Sequence, residues 1–109
     1  MSGNLTLDDL AVPLRVLRLL SVDFGHLSAP SVHVSTIYPE RLELSFYDDL
    51  PGFEAWREAL GVAPDAVTYR MQNDGRTGTL SASVDHAGAT VHLIAYADVV
   101  APALVGGAA

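Results

Sequence analysis

The chain has 109 residues, of which 50% are hydrophobic and 17% are charged, a balance that excludes an intrinsically disordered chain. It contains no cysteine, which excludes disulfide frameworks, cysteine-ligated zinc and thiol nucleophiles. No apolar run approaches the roughly 18 residues needed to span a bilayer. The length is that of one domain, and we expect a single domain over residues 1–100 with a frayed C-terminal tail over 101–109.

Thirteen acidic and six basic residues give the chain a net charge of −7. All six bases are arginines, and they are scattered along the chain. Nucleic acids and anionic lipids are bound by clustered cations, so we expect no direct nucleic-acid partner and no membrane partner. The N-terminus lacks the basic segment and long apolar run of a signal peptide, which predicts a cytoplasmic location.

The first periodic segment runs from Leu7 to Leu20. Leucines at positions 7, 10, 14, 17 and 20 recur at helical spacing, which predicts one apolar helix face. Pro13 interrupts this pattern, because an interior proline removes a backbone hydrogen bond. The helix is therefore either kinked at Pro13 or begins near it, and we expect a helix over residues 12–21 after a loosely ordered lead-in.

Two alternating segments follow, at residues 31–36 and 42–47. Their period of two is typical of half-buried strands, and the proline between them suits a turn. Matching the apolar faces of the two strands pairs Val34 with Leu44 and leaves His33 on the polar face. These segments predict a β-hairpin.

A second helix is predicted after Asp48 or Asp49, either of which can cap it, with Pro51 in its first turn. Gly61 suits the left-handed residue that ends a helix. One face of the helix is apolar and is expected to pack on the core; it carries Phe53, Trp56 and Leu60. The other faces are charged and are expected to be solvated; they carry Glu54, Arg57 and Glu58.

The last third of the chain predicts a three-stranded meander. Its strands span residues 67–72, 77–84 and 89–97, and its hairpin turns span 73–76 and 85–88. The first turn carries Asn73, Asp74 and Gly75, and the second carries Asp85 and Gly88; Asn, Asp and Gly are typical of tight hairpins. The overall element order is therefore α-β-β-α-β-β-β.

The two turns also predict the register of the meander. Tyr69, Leu80 and Leu93 form an apolar cross-strand row, and Ser81 faces His92 on the polar side. Strands joined by short turns, with helices between them, are typical of an α+β fold. We expect a single antiparallel sheet with both helices packed on its apolar face, and the way in which the first hairpin joins the meander stays open.

The chain carries neither a phosphate-binding loop nor a nucleophile elbow, the motifs of nucleotide-binding proteins and serine hydrolases. Its four histidines form neither His-x-His nor His-x3-His pairs, so we expect no metal and no cofactor. A serine opposite a histidine resembles a nucleophile and its base, but no third group orients the imidazole, and catalytic residues are not assigned. The best candidate surface is the polar sheet face, whose expected ligand-binding residues are His33, Arg70, Ser81, His92 and Tyr96.

A mean hydropathy of +0.27 is high for a small acidic chain, and surplus apolar surface is commonly covered at a subunit interface. The sequence therefore favours a non-enzymatic protein–protein interaction module that forms a homodimer or binds another protein. One alternative is a module that binds a small ligand or a metal on the polar sheet face. A second alternative is an acidic inhibitor that covers a basic or nucleic-acid-binding surface of its partner.

Overall fold

The computed structural model describes residues 5–72, 75 and 77–98. The predicted tail at 101–109 lies outside the described residues. Among the described residues, no helix is both long and apolar enough to cross a bilayer. The α-helices are α1 (Ala11–Asp23) and α2 (Leu50–Ala59), and short 3-10 helices span Leu7–Leu10 and Pro64–Ala66. The strands are β1 (Ser31–His33), β2 (Arg41–Tyr47), β3 (Thr68–Met71), β4 (Thr77–His86) and β5 (Ala89–Asp98).

The five strands form one sheet in the order β1-β2-β5-β4-β3. The fold is α+β as predicted, but the sheet is mixed and not antiparallel throughout, because β2 and β5 run parallel. A parallel neighbour needs a long crossover, and the chain supplies one, since α2, β3 and β4 lie between these two strands. Alternation along a strand reveals its faces but carries no information about the direction of a distant partner.

Both helices pack on the same face of the sheet, over β2 and β5. The prediction for α2 is confirmed at Phe53 and Trp56, which are buried, and Leu60 is packed against the same core. The indole Nε1 of Trp56 also donates a hydrogen bond to the carbonyl oxygen of Ser28 at 2.8 Å. This bond ties α2 to the segment that leads into β1. The sheet contributes to the core through Leu42, Leu44, Phe46, Ala89, Val91, Leu93 and Ala95.

The predicted leucine face of α1 is only partly correct. Val16 and Leu20 are buried, as is Pro13 in the first turn, which agrees with a helix that begins near the proline. Leu7 is 72% exposed and Leu14 is 38% exposed. The buried face of α1 is rotated away from these two leucines. It includes Pro13 and Val16, which are not part of the leucine pattern and which pack towards the sheet.

The charged side of α2 departs from the prediction of a solvated face at Arg57, which is buried. Its guanidinium donates to the carboxylate of Glu54, at 2.9 Å from Nη2, and to the backbone carbonyl of Val62. Arg57 therefore joins the end of α2 to the chain that follows it. Asp49 caps the start of the helix by accepting a bond from the amide of Gly52 at 3.1 Å, as expected for an N-cap.

The first hairpin has the predicted faces but a different register. Val32, and not Val34, pairs with Leu44, and His33 pairs with Glu43. Since β1 is only three residues long, few cross-strand contacts oppose such a slip. A slip of two residues leaves every side chain on its predicted face.

Candidate functional site

The face of the sheet opposite the helices, the uncovered face, carries its side chains in rows that cross the strands. One row runs through Tyr47 on β2, Tyr96 on β5, Thr79 on β4 and Arg70 on β3. Neither helix lies on this face. The next two rows contain Ser45, Ile94, Ser81 and Thr68, and then His33, Glu43, His92 and Ser83.

A groove of about 560 Å³ runs along β4 on this face. Its floor is low because Thr79 and Ser81 have short side chains, while longer side chains rise from β5 and β3 on either side. Depressions of about 300–1,000 Å³ are the size that accepts small ligands. The groove is lined by Arg70, Met71, Gln72, Thr79, Ser81, His92, Ile94 and Tyr96.

Four of the five expected ligand-binding residues meet in this groove: Arg70, Ser81, His92 and Tyr96. His33 does not join them. It lines a separate hollow of about 200 Å³, because β2 separates β1 from β5 in the sheet. The assignment of these residues to ligand binding stays a prediction.

The partner of His92 differs from the expected one. Ser83, and not Ser81, pairs with His92, and the Ser83 Oγ lies 3.0 Å from Nδ1 of His92. The cause is the turn between β4 and β5, whose two central residues are Ala87 and Gly88. Both have positive φ values, of 50° and 93°, as a type I′ turn requires. Moving the centre of a two-residue turn by one position shifts the strand register by two.

Glu43 belongs to the same row and was missed by sequence reasoning. It pairs with His33 on one side and with His92 on the other. The Ser45 hydroxyl donates to Glu43 Oε2 at 3.4 Å. Alternation in β2 does place Glu43 on the polar face, but its position beside His92 depends on the parallel β2–β5 contact.

Among the described residues of the uncovered face, His92 and Tyr96 have shifted pKa values. Burial lowers the pKa of His92, the nearby Arg41 charge lowers it further, and Glu43 acts in the opposite direction. Burial likewise raises the pKa of Tyr96, and Tyr47 and Glu43 add to this effect. At neutral pH the imidazole is therefore uncharged, and the phenol keeps its proton as a hydrogen-bond donor.

The rings of Tyr47 and Tyr96 are stacked, with centroids 4.9 Å apart and planes inclined by 5°. Sequence reasoning singled out Tyr96 but not Tyr47, because the pair forms only where β2 lies beside β5. Hydroxyls, a guanidinium and an aromatic ring face are the contacts of a binding site. Within the described parts of the chain, no three His, Asp or Glu side chains are arranged to hold a metal ion.

Comparison of the chain with protein-family models, curated proteins and solved structures gives no match.

Proposed function

We propose that the protein is a small non-enzymatic interaction module that works in the cytoplasm as a homodimer, with two copies paired through β3. The observation that supports this proposal is an apolar strip at the sheet edge. Tyr69 is 53% exposed and Met71 is 47% exposed, although the strand register places both with the rows of the helix-bearing face; Met71, at the end of β3, also borders the groove on the other face. The helices lie over β2 and β5, so this flank of the apolar face lacks their cover.

The backbone of β3 is also suited to pairing. The amide of Gln72 donates to the carbonyl of Thr77 at 2.8 Å, which makes these two residues a hydrogen-bonded pair. Hydrogen-bonded and non-bonded pairs alternate along an antiparallel ladder. The amides of Tyr69 and Met71 therefore point away from β4, towards the free edge, where the same strand of a second copy can accept and return their hydrogen bonds.

The two sheet edges differ in how well they are protected. β1 has three residues and follows Pro30, and short edge strands with a nearby proline resist pairing. β3 contains no proline and no acidic residue, and its single charged side chain is Arg70. The paired strands themselves therefore bring no carboxylates together, although each copy carries a net charge of −7.

An interface made by two four-residue strands and a few flanking side chains is small. Stable complexes commonly bury about 1,200 Å² or more in total. We therefore expect a reversible dimer with a micromolar dissociation constant. An antiparallel β3–β3 contact is related by a two-fold axis, which is the commonest symmetry of homo-oligomers.

Sedimentation equilibrium over micromolar to millimolar concentrations tests this proposal. Tyr69→Pro removes one outward amide and leaves the β3–β4 hydrogen bonds in place, so we expect it to be monomeric. Tyr69→Ala keeps the amide but removes the ring, and we expect dimerisation to weaken about tenfold. Tyr47→Ala is the matched control, because Tyr47 is 61% exposed but lies on the uncovered face.

A wild-type chain that stays monomeric throughout this range refutes the proposal. A dimer that persists in Tyr69→Pro, or that Tyr47→Ala disrupts as strongly as Tyr69→Ala, also refutes it. Circular dichroism checks that each variant is folded. Met71→Lys provides a second edge variant, since a lysine on an edge strand opposes pairing, and it is expected to be monomeric too.

A further inference from the structure

We propose that the groove on the uncovered face binds a small planar aromatic carboxylate. Its ring stacks on Tyr96 above Thr79, and its carboxylate pairs with Arg70. The groove is formed within one protomer, so this inference goes beyond self-association and does not depend on it.

The stacked tyrosines define the orientation of the ring site. Their centroid distance of 4.9 Å is close to the spacing of neighbouring strands, about 4.8 Å. The ring planes therefore lie roughly perpendicular to the line that joins neighbouring strands, so that each ring turns its faces towards the strands on either side. Tyr47 covers the face of Tyr96 that is turned towards β2, and the second face of Tyr96 is turned towards β4 and the groove.

The next position in this row is occupied by Thr79, whose side chain is too short to cover that second face. Arg70 follows on β3, two strand spacings from Tyr96, which is about 10 Å. A flat ring between two van der Waals contacts needs about 7–8 Å. The space above Thr79 therefore has room for one ring and for a guanidinium that reaches towards its substituent.

The charge of the groove is opposite to that of the chain. The chain carries 13 acidic residues and a net charge of −7, yet no Asp or Glu is found among the described residues that line the groove. Arg70 forms no ion pair with a described residue, so its guanidinium is available to an anion. Planar guanidinium groups bind carboxylates through two parallel hydrogen bonds.

The remaining polar groups select for acceptor oxygens and planar rings. The Ser81 hydroxyl and the Gln72 amide lie along the groove beside Arg70, where they can donate to a carboxylate. Ile94 provides an apolar contact next to Tyr96. An aliphatic acid could pair with Arg70 but could not stack on Tyr96, and a neutral aromatic molecule could stack on Tyr96 but could not pair with Arg70.

Titration with naphthoate, followed by ¹H–¹⁵N NMR spectra of the wild-type protein, tests this inference. Naphthalenemethanol has a similar ring without the charge, and cyclohexanecarboxylate has the charge without the aromatic ring. We expect naphthoate to shift amide signals of β3, β4 and β5 around the groove. We expect each of the other two probes to bind at least about tenfold more weakly, as for loss of a charged hydrogen bond or a stacked ring.

Two variants remove the site in different ways. Thr79→Ile fills the space above β4 without changing any charge, and Arg70→Gln removes the cation while keeping a long polar side chain. We expect each to weaken naphthoate binding about tenfold or more. Thr90→Ile is the matched control, because it makes the same β-branched change on the uncovered face, outside the groove. It should leave the affinity unchanged.

The absence of saturable shifts at the groove overturns the inference, as does equal binding of naphthoate and naphthalenemethanol. Naphthoate binding that survives both Thr79→Ile and Arg70→Gln also overturns it. The spectra show directly whether each variant is folded. If Arg70→Gln is not folded, Arg70→Lys takes its place: it keeps the charge but loses the planar fork, and it must bind naphthoate more weakly than wild type does.

Discussion

The turn between β4 and β5 provides a stability test of the register that places Ser83 beside His92. Ala87 occupies the first central position with a φ of 50°. A left-handed backbone conformation costs a residue with a Cβ about 1–2 kcal/mol, and Asn reduces this cost because its side chain can bond locally. We expect Ala87→Asn to raise the free energy of unfolding by about 0.5–1 kcal/mol.

The opposite change at the second central position should destabilise the protein. Gly88 has a φ of 93°, and a Cβ added there would meet Val12 Cγ1 at 3.8 Å as its nearest neighbour. That distance is an ordinary van der Waals contact, so the cost of Gly88→Ala comes from the backbone conformation alone. We expect a loss of about 1–2 kcal/mol, which corresponds to a fall in Tm of several degrees in a domain of this size.

Urea unfolding followed by circular dichroism measures both effects, provided that the dependence on urea concentration is the same in all variants. Ala29→Asn is the control, since Ala29 is exposed in a loop and its φ is not positive. It should change stability by less than about 0.5 kcal/mol. Destabilisation by Ala87→Asn, or the absence of an effect of Gly88→Ala, would refute a type I′ turn centred on these two residues. Either result would indicate a turn centred elsewhere, such as the one the sequence predicts around His86.

Trp56→Phe keeps an aromatic ring but leaves the Ser28 carbonyl without its indole donor. We expect urea unfolding to show that the free energy of unfolding falls by about 1–2 kcal/mol. A fall below about 0.5 kcal/mol would show that the bond to Ser28 does not contribute to stability. In an NMR titration, the pKa of His92 should lie below the ordinary histidine value of about 6.5. Arg41→Gln should raise this pKa and Glu43→Gln should lower it. Shifts in the reverse directions would contradict the proposed environment of His92. The pKa of His92 is lower in the folded chain than in the unfolded chain. As the pH falls below about 6.5, the unfolded chain therefore binds more protons at this residue than the folded chain does, and the wild type should lose stability. His92→Gln should reduce that loss, and an unchanged pH dependence of urea unfolding would argue against it.

Much of the local structure follows from nearby residues. The α2 face with Phe53 and Trp56 and its left-handed end at Gly61 were predicted correctly, and of the two predicted cap residues, Asp48 and Asp49, the structure selects Asp49. The register of β3 against β4, with Tyr69 opposite Leu80, was also correct. These features depend on side-chain periodicity, capping and short turns, all of which act over a few residues.

The site was predictable to a lesser degree. Alternation placed Arg70, Ser81, His92 and Tyr96 on one face, and the structure brings them to one groove. Glu43 and the Tyr47 ring could not be assigned to positions beside His92 and Tyr96, because β2 and β5 are separated by more than 40 residues of sequence. The burial of Arg57 was missed for a related reason, since its polar partners include a backbone carbonyl beyond the end of the helix.

By itself the amino-acid sequence determined the two α-helices and five strands, the sheet face to which each side chain belongs and the acidic, cysteine-free character of the chain, but not the short 3-10 helices at Leu7–Leu10 and Pro64–Ala66. Only the tertiary structure decided that β2 lies parallel to β5, that β4 meets β5 two residues away from the expected register, and that the helices cover part of one face. The physical reason is the distance along the chain over which each interaction acts. Periodicity and turn conformation act between neighbours in the chain, whereas the choice of strand partner is settled by how much apolar surface the whole domain can bury.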